Sequence, residues 1–233
     1  MKILITLLLS VLPIIGWAQL KTDTYETSVG NIDITLVGHS SLMIGFNGKV
    51  IHVDPYGKAG DYTHLPKADL VLITHEHSDH FDPQALEQII RTDTEIITSK
   101  TVAGQYDKAD MYMENGDVYG WENVRIQAVP AYNIVHKRET GEHYHPQGRG
   151  NGYVLTFGEF VLYIAGDTEP IPDMDELETI DVAFIPERFP FAPNSDDFFR
   201  IAKKIRAKVI YPYHSSQIDK EEIQRQLPDI EIK

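Results

Sequence analysis

The chain contains no cysteine, so neither disulfide bonds nor thiolate metal ligands are available to it. It also lacks an excess of positive charge, because 35 acidic residues stand against 21 basic ones and the formal net charge is −14. A protein that binds a nucleic-acid backbone needs a basic patch, and the sequence shows none. These absences exclude cysteine-based metal or redox sites and argue against nucleic acid as a partner, which leaves a small-molecule substrate as the expectation.

Long apolar runs are scarce, and the longest lies at the amino terminus. Lys2 is followed by a mostly apolar stretch from Ile3 to Ile15, which is short for a membrane-spanning helix. Gly16-Trp17-Ala18 then has the small-x-small pattern of a cleavage site, so we predict a secretory signal peptide over residues 1–18. The mature protein is expected to be periplasmic or secreted, with no stable membrane anchor after cleavage. Residues 19–233 have the length of a single domain.

Potential metal ligands are concentrated in one stretch, Thr74-His75-Glu76-His77-Ser78-Asp79-His80. It follows the apolar run Leu70 to Ile73, which predicts a short buried strand, and it precedes Asp82-Pro83, a helix-start signal. Residues two apart in an extended segment point the same way, so His75 and His77 can bind one ion together. Asp79 and His80 point elsewhere and can serve a second ion. Imidazole and carboxylate ligands suit zinc, manganese or iron.

Two hairpins with similar endings are predicted on either side of a central region. Leu42 to Ile44 and Val50 to Val53 flank Asn47-Gly48, a strong hairpin signal, and the second strand ends at Asp54. The second hairpin turns at Gly158-Glu159 and ends at Gly166-Asp167. Further strands are predicted at 31–37, 95–98, 124–130, 153–157, 160–165, 182–185 and 209–211, and helices at Pro83 to about Arg91, from Asn194 or Ser195, and after Asp219 with Glu222 as a capping box.

The sequence from Thr74 to His80, HxHxDH after a short apolar strand, resembles the metallo-β-lactamase superfamily of binuclear metal hydrolases. The similarity covers nearly all of residues 19–233. It implies an α/β fold, a four-layer αβ/βα sandwich of the metallo-β-lactamase type in which two mixed sheets are flanked by helices. The pattern of the superfamily continues with a lone His, an Asp after a strand and a His after the last strand. Asp167 fits the Asp that bridges both ions, and His214 fits the last His.

The lone histidine must come from the long polar loop between Ala131 and Gly152, which holds His136, His143 and His145. The resemblance favours His145, because a subgroup near the UlaG-like lactonases shares an Ala-Tyr-Asn stretch followed by a His-Pro-x-Gly loop and a glycine-led strand. His136 and His143 remain alternatives. The implied ligands are His75, His77 and His145 for one ion, Asp79, His80 and His214 for the other, and Asp167 for both.

Two further residues are candidates for the surroundings of these ligands. By resemblance, Asp54 at the end of the first hairpin and His39 before it lie next to the loop of residues 74–80, called the metal loop below. The plainer interpretations are an aspartate that ends a strand and an ordinary surface histidine. Tyr132, Asn133 and Arg149 of the long loop are candidate pocket residues, although a simple loop role fits each of them as well.

The function implied by the resemblance is that of an exported binuclear metal-dependent hydrolase. Two divalent ions, zinc first and manganese or iron as alternatives, would generate a metal-bridging hydroxide that attacks an ester, lactone or phosphodiester-type bond. Asp79 and Asp167 are the candidate catalytic residues, the first for proton transfer to the leaving group and the second as the bridge. The alternatives are a metal-binding protein without turnover and a β-lactamase, although the lactamase branches lack an aspartate at the position of Asp167. A redox di-iron role is a third alternative and would need an electron partner.

Overall fold

The computed structural model describes residues 20–189, 196–215 and 218–233. The predicted signal peptide over residues 1–18 and the predicted helix start at Asn194 or Ser195 lie outside these residues. Within the described part of the chain, no helix is both long enough and apolar enough to cross a membrane.

The first half of the chain forms a seven-stranded sheet whose strands lie side by side in sequence order. They are β1 (Thr22–Thr27), β2 (Gly30–Gly38), β3 (Ser41–Phe46), β4 (Lys49–Val53), β5 (Leu70–Leu72), β6 (Glu95–Ser99) and β7 (Met111–Met113). Neighbours from β1 to β4 run antiparallel, and neighbours from β4 to β7 run parallel. The sheet is therefore mixed, and β4 is the strand at which the pairing changes.

The second half builds a second seven-stranded sheet with the same order and the same change of pairing. Its strands are β8 (Val118–Trp121), β9 (Val124–Ala131), β10 (Gly150–Phe157), β11 (Phe160–Ile164), β12 (Val182–Pro186), β13 (Val209–Tyr213) and β14 (Glu231–Ile232). Pairing is antiparallel from β8 to β11 and parallel from β11 to β14. Strand β11 therefore occupies the place in this sheet that β4 occupies in the first.

Helices cover the outer face of each sheet. The first sheet carries α1 (Pro83–Ile89) and α2 (Lys100–Ala103), and the second carries α3 (Asp197–Ile205) and α4 (Lys220–Gln226). One apolar core lies between the inner faces of the two sheets, with Ile44, Leu155 and Phe184 among its buried residues. A separate core lies under the helices on each outer face. The predicted four-layer αβ/βα sandwich with two mixed sheets is confirmed.

Local signals in the sequence explain where several elements begin. Asn47 and Gly48 both have positive φ, at 50° and 76°, as the turn of the first hairpin requires. Asp82 caps α1 by accepting hydrogen bonds from Gln84 N and Ala85 N, with Pro83 in the first turn. Asp219 caps α4 in the predicted way, because its carboxylate accepts from Glu222 N at 3.0 Å. Local chemistry therefore fixes the ends of these elements.

The structure differs from the sequence-based expectation mainly at the edges of the sheets. Strands β1, β7, β8 and β14 and helix α2 were not expected, because they are short or carry alternating polar and half-buried residues. Helix α1 ends at Ile89, not near Arg91. The long loop is shorter than expected, since Gly150 already pairs with Ala131 between β10 and β9. Each edge strand is defined by its partner and not by its own apolar pattern.

Candidate metal centre

The predicted site residues converge at one edge of the sandwich, where loops from both sheets meet. The loop after β5 carries His75, His77, Asp79 and His80, and His39 follows β2. The second half supplies His145 before β10, Asp167 after β11 and His214 after β13. Side chains from both halves of the chain therefore contribute to one centre.

One group of four potential ligands consists of His75, His77, His145 and Asp167, whose ligand atoms all lie within 4.8 Å of one another. His77 Nδ1 lies 3.1 Å from both His75 Nε2 and His145 Nε2. Asp167 Oδ2 lies 3.3 Å from His145 Nε2 and 4.0 Å from His75 Nε2. Three imidazole nitrogens and one carboxylate oxygen thus surround one point in space.

A second group of four consists of His39, Asp79, His80 and His214, again within 4.8 Å of one another. Asp79 Oδ2 lies 3.0 Å from His39 Nε2 and 3.5 Å from His214 Nε2. His39, for which the sequence left open a place beside the ligands or an ordinary surface position, is therefore part of the cluster. Its only sequence signal is its position in Gly38-His39-Ser40-Ser41 next to the first hairpin.

Asp167 touches both groups. Its Oδ1 lies 3.2 Å from His80 Nε2, and its Oδ2 lies 3.1 Å from His214 Nε2 and 3.3 Å from His145 Nε2. The side chain is almost completely buried, and Gly166 before it has φ of 65°. A Cβ on Gly166 would lie 2.9 Å from Asn151 O, so glycine is required for the turn that delivers this carboxylate.

The ring nitrogens that face away from the clusters are held by other groups. His80 Nδ1 donates to Asp54 Oδ2 at 2.7 Å, and His214 Nδ1 donates to Arg188 O at 3.1 Å. His145 Nδ1 donates to Asn133 Oδ1 at 2.8 Å. Because a carboxylate or carbonyl oxygen can only accept, each ring keeps its proton on the outer nitrogen and turns Nε2 toward the cluster. This arrangement is typical of histidines that bind metals.

Asp54 holds the metal loop in place through hydrogen bonds. This fully buried carboxylate accepts hydrogen bonds from Thr74 N at 2.8 Å, Thr74 Oγ1 at 2.6 Å and His80 Nδ1 at 2.7 Å. Thr74 Oγ1 in turn lies 3.0 Å from His75 Nδ1, so it can accept from that ring. Asp54 itself has φ of 44°, an uncommon conformation for an aspartate that the surrounding contacts maintain.

Both aspartates of the clusters are ionised. Burial alone would raise the pKa of Asp167, but the nearby imidazoles of His214 and His80 hold that pKa well below its ordinary value. Burial likewise opposes ionisation of Asp79, and the nearby imidazoles of His214 and His39 hold its pKa far below the ordinary value. The pKa of His214 is raised to about 10, because Asp167 outweighs the effect of burial. The two carboxylates therefore attract positive charge into the centre.

The residues present fit divalent metal ions both by the geometry of their buried atoms and by the chemistry of their donors. His214 Nε2 and Asp167 Oδ1 are buried and make no hydrogen bond, although buried polar atoms normally have a partner. Burial and the nearby His80 also lower the pKa of His75 well below its ordinary value, which keeps this ring neutral and its lone pair available. Imidazole nitrogens with carboxylate oxygens form a donor set suited to zinc, manganese or iron.

The two alternative histidines of the long loop lie outside both groups. His136 Nε2 is 3.3 Å from Asp197 Oδ2, and His143 Nδ1 is 3.3 Å from the backbone oxygen of His136. Glu169 holds this part of the loop, because its buried carboxylate accepts backbone hydrogen bonds from Ile134, Val135 and His136 at 2.7 to 2.9 Å. Of the three loop histidines, the structure brings only His145 to the cluster.

Several residues that shape the centre were not singled out by the sequence. Glu76 accepts from Thr101 Oγ1 at 2.7 Å and from Arg149 Nη2 at 2.6 Å, which ties the metal loop to the loop before β10. Thr74 and Glu169 also hold loops in place, Thr74 through Asp54 and Glu169 through the backbone of residues 134–136. These partners lie 20 or more residues away in sequence, so no local pattern marks the contacts. Asn133, named only as a pocket candidate, fixes His145 through both its backbone N–H and its ring.

A pocket of about 280 Å³ opens over the two groups. Asp79, Asp167, His77, His145 and His214 form its floor and walls, together with Ser78, Arg138 and Tyr144. Its size is at the lower end of the range for small-molecule sites. The ionised carboxylates thus face a space that a small ligand can enter.

The sequence matches a known family. A family model described as the Beta-lactamase superfamily domain matches residues 33–214, which include every residue of the two groups. A UPF0173 metal-dependent hydrolase from Ligilactobacillus salivarius is 30% identical over 195 residues, which cover 78% of this chain and 84% of that relative.

Solved structures agree with the sequence matches. A candidate metal-dependent hydrolase from Parabacteroides distasonis is 38% identical and has a TM-score of 0.85, with 92% of this chain and 97% of that chain covered. A metallo hydrolase from Ignicoccus hospitalis is 21% identical and has a TM-score of 0.69, with 87% of this chain and 94% of that chain covered. The second likeness shows the fold alone.

Proposed function

Because the chain belongs to the metallo-β-lactamase superfamily, we propose that it is an exported hydrolase that uses two divalent ions to cleave an ester, lactone or phosphodiester-type bond in a small molecule. The single observation that carries this proposal is the position of Asp167. Its two carboxylate oxygens lie 3.1 to 3.3 Å from imidazoles of both groups, His80 and His214 on one side and His145 on the other. A carboxylate in this place can bridge two cations.

The proposed ligands follow the two groups. His75, His77 and His145 would hold one ion, Asp79, His80 and His214 the other, and Asp167 both, with His39 as a further donor to the second ion or a partner of Asp79. Zinc suits this donor set best, and manganese or iron are alternatives. Bound ions of this kind supply an activated water and polarise the oxygen of the scissile bond.

The chain itself supplies proton transfer and orientation. Asp79 faces the pocket with its side chain 33% exposed, and its lowered pKa keeps it ionised. Since His39 Nε2 lies 3.0 Å from Asp79 Oδ2, it fixes the direction of that carboxylate. We assign Asp79 the relay of a proton from the attacking water to the leaving group, the transfer that the sequence suggested.

Export is the second part of the proposal and rests on the sequence pattern of residues 1–18. A charged start, a short apolar run and a small-x-small end support cleavage after Ala18. Mass spectrometry of the protein recovered from the native cell envelope tests it, and the expected mass begins at Gln19. Recovery of mature protein that still carries Met1 would contradict export by this route.

The test of the hydrolase begins with the metal content of the mature protein. We expect about two ions per chain, and we expect the loaded protein to cleave at least one compound in a panel of lactones, carboxylic esters and phosphodiesters. Nitrocefin in the same panel tests the β-lactamase alternative. Two bound ions without turnover of any compound would support a metal-binding protein instead, and failure to bind ions would refute the proposed function.

A further inference from the structure

Arg138 is a positive charge at the mouth of the pocket, on the loop between β9 and β10. Its guanidinium carbon lies 4.8 Å from the centre of the Tyr144 ring. Its Nη2 lies 3.2 Å from His77 Nε2 and donates to Tyr144 O at 3.4 Å. Arg138 and Tyr144 both line the pocket, with Asp79 and His145 of the two groups. The arginine is thus next to the candidate metal ligands without being one of them.

This arginine has no acidic partner in the part of the chain that the structure describes. No carboxylate of residues 20–189, 196–215 or 218–233 forms an ion pair with Arg138, although the chain carries 35 acidic residues. Arg149 differs from Arg138 in this respect, because its Nη2 lies 2.6 Å from Glu76 Oε1. The Arg149 guanidinium is engaged by Glu76 and links the metal loop to the loop before β10. The side chain of Arg138 is exposed, so its N–H groups are accessible to a ligand.

The backbone around Arg138 is held in a tight turn. Arg138 N donates to Glu142 O at 2.7 Å, and Gly141 N donates to Arg138 O at 2.9 Å. Lys137 and His143 form a bridge across the same turn. With its face against the Tyr144 ring, the guanidinium presents its edge, and this edge matches the two oxygens of a carboxylate or phosphate.

Metal binding at His77 would free this edge further. The atom of His77 that faces the first group is Nδ1, at 3.1 Å from His75 Nε2 and His145 Nε2. A neutral imidazole that uses Nδ1 as a ligand carries its proton on Nε2, the atom that Arg138 Nη2 faces. Two donors would then face each other, so the guanidinium must turn toward another acceptor. A substrate anion in the pocket is such an acceptor.

We propose that Arg138 binds a carboxylate or phosphate group of the substrate, so that the pocket selects anionic small molecules. The assignment rests on the proposed function, because it takes the pocket over the two groups as the substrate site. Two divalent ions would bring four positive charges against one negative charge each from Asp79 and Asp167, and Arg138 adds one more. The pocket is then positive within a chain whose formal net charge is −14, which concentrates anions there.

The test measures anion binding, not turnover. Isothermal titration of the metal-loaded mature protein with acetate and with methyl phosphate is compared between wild type and Arg138→Gln. Because the ions bind anions in both proteins, the difference between the two reports Arg138 alone. We expect Arg138→Gln to weaken binding of one of the two anions roughly tenfold or more, the loss typical of a charge-assisted hydrogen-bonded pair. The anion with the larger loss identifies the group on the substrate.

Two control variants separate recognition from net charge. Arg125→Gln removes the same charge from an exposed site on β9, where Arg125 contacts Gln127, and it should bind both anions as wild type does. Arg138→Lys keeps the charge but loses the planar fork, so an intermediate affinity is expected. Metal content and thermal unfolding of each variant should equal those of wild type, because the Arg138 side chain is exposed.

Equal affinity of wild type and Arg138→Gln for both anions would overturn the assignment, as would an equal loss in Arg125→Gln. A matched pair of esters, neutral 4-nitrophenyl acetate and anionic mono-4-nitrophenyl succinate, gives a second readout if either is cleaved. The ratio of kcat/KM for the anionic over the neutral ester should then fall in Arg138→Gln. If no ester, lactone or phosphodiester is cleaved, the proposed function fails, while the titration still decides whether Arg138 binds anions.

Discussion

The two halves of the molecule have the same topology, yet their corresponding aspartates have different surroundings. Asp54 follows β4 and Asp167 follows β11, the two strands at which pairing changes from antiparallel to parallel. Asp54 accepts hydrogen bonds from Thr74 and His80 on both oxygens, and it is fully buried. Asp167 keeps a buried Oδ1 without a hydrogen bond and faces the imidazoles of both groups. The same position in the fold thus serves as a structural anchor in one half and as a candidate bridging ligand in the other.

The largest expected effect comes from removing the charge of Asp167, and the same change at Asp54 gives the comparison. Asp167→Asn keeps the shape but removes the charge that two neighbouring cations need, so occupancy of both ions should fall. We expect turnover to drop by several orders of magnitude. Asp54→Asn should reduce metal affinity or turnover only roughly 10- to 100-fold, the usual cost of losing a partner behind a ligand. Metal analysis and kcat/KM of both variants measure the difference.

Two outcomes would contradict the roles assigned to the two aspartates. An Asp167→Asn protein with two bound ions and unchanged turnover would refute the bridging role. If Asp54→Asn lost both ions as completely as Asp167→Asn, the distinction between anchor and bridge would be wrong. Circular dichroism of both variants checks that the fold is retained.

The second prediction concerns the ligand that the long loop contributes from the second half. His145→Ala should lose the ion of the first group, so that metal content falls by about one ion per chain. His136→Ala should retain both ions, because the His136 imidazole lies by Asp197 and outside both groups. Inductively coupled plasma mass spectrometry after dialysis gives the metal content of each variant. Loss of an ion in His136→Ala alone would show that the wrong loop histidine was assigned.

The third prediction compares two residues at the same position of β4 and β11, the strands at which pairing changes from antiparallel to parallel. The fourth residue is His52 in β4 and Tyr163 in β11, and both are buried. Burial lowers the pKa of His52 to about 4, despite a hydrogen bond with Pro66 O, and burial raises the pKa of Tyr163 well above its ordinary value. Between pH 6.5 and pH 4 the unfolded chain binds a proton at His52 that the folded protein does not bind. Stability is therefore present above this window and is lost as pH falls through it.

His52→Gln removes the group that binds this proton, while the glutamine side-chain amide can still donate a hydrogen bond to Pro66 O. Chemical denaturation of both proteins is measured at pH 7 and pH 4 after a chelator has removed metal ions. Over this range the free energy of unfolding of wild type should fall by about 3 kcal/mol more than that of the variant. His64→Gln serves as the matched control, because it makes the same exchange at a side chain that is 73% exposed. Parallel pH profiles for wild type and His52→Gln would contradict the prediction.

The smallest expected effect distinguishes the helices that follow β5 and β12. Asp82 caps α1 through Gln84 N and Ala85 N and also accepts from Gly57 N at 2.9 Å. Asp196 precedes α3 without a side-chain capping bond. Asp82→Ala should lower the free energy of unfolding by about 1 kcal/mol or somewhat more, while Asp196→Ala should leave it unchanged. Urea denaturation of the chelated proteins measures both, and equal effects would show that the capping bonds contribute nothing.

Most of the clustered residues could be found because their signals are local, and the fold followed from the family resemblance that those residues carry. HxHxDH, the Asn47-Gly48 turn and the strand ends before Asp167 and His214 are visible in short windows of sequence. The edge strand β1 could not be predicted, because its polar alternation acquires meaning only beside β2. Glu169 was missed for a similar reason, since the backbone groups that it binds lie 33 to 35 residues earlier.

His39 lies between these cases. The sequence placed it near the metal loop by resemblance but could not show that its ring reaches Asp79. That contact depends on φ of 50° at His39 and on the loop after β13, because His214 N donates to His39 O at 3.0 Å. Two distant segments must meet before the ring is positioned, and no short window of sequence contains both.

Each sheet is built from seven consecutive strands of the chain, and this arrangement affects the order of folding events. Every strand pairs with its sequence neighbour, and only residues 114–117 link β7 to β8. Strand pairing therefore requires chain closures within each half only, and these are shorter than most of the closures that bring the two halves together. The metal-binding groups, in contrast, exist only once both halves have docked. Metal uptake should accordingly be a late folding event that reports docking of the halves, and the link between β7 and β8 is the natural position for new termini in a circular permutant.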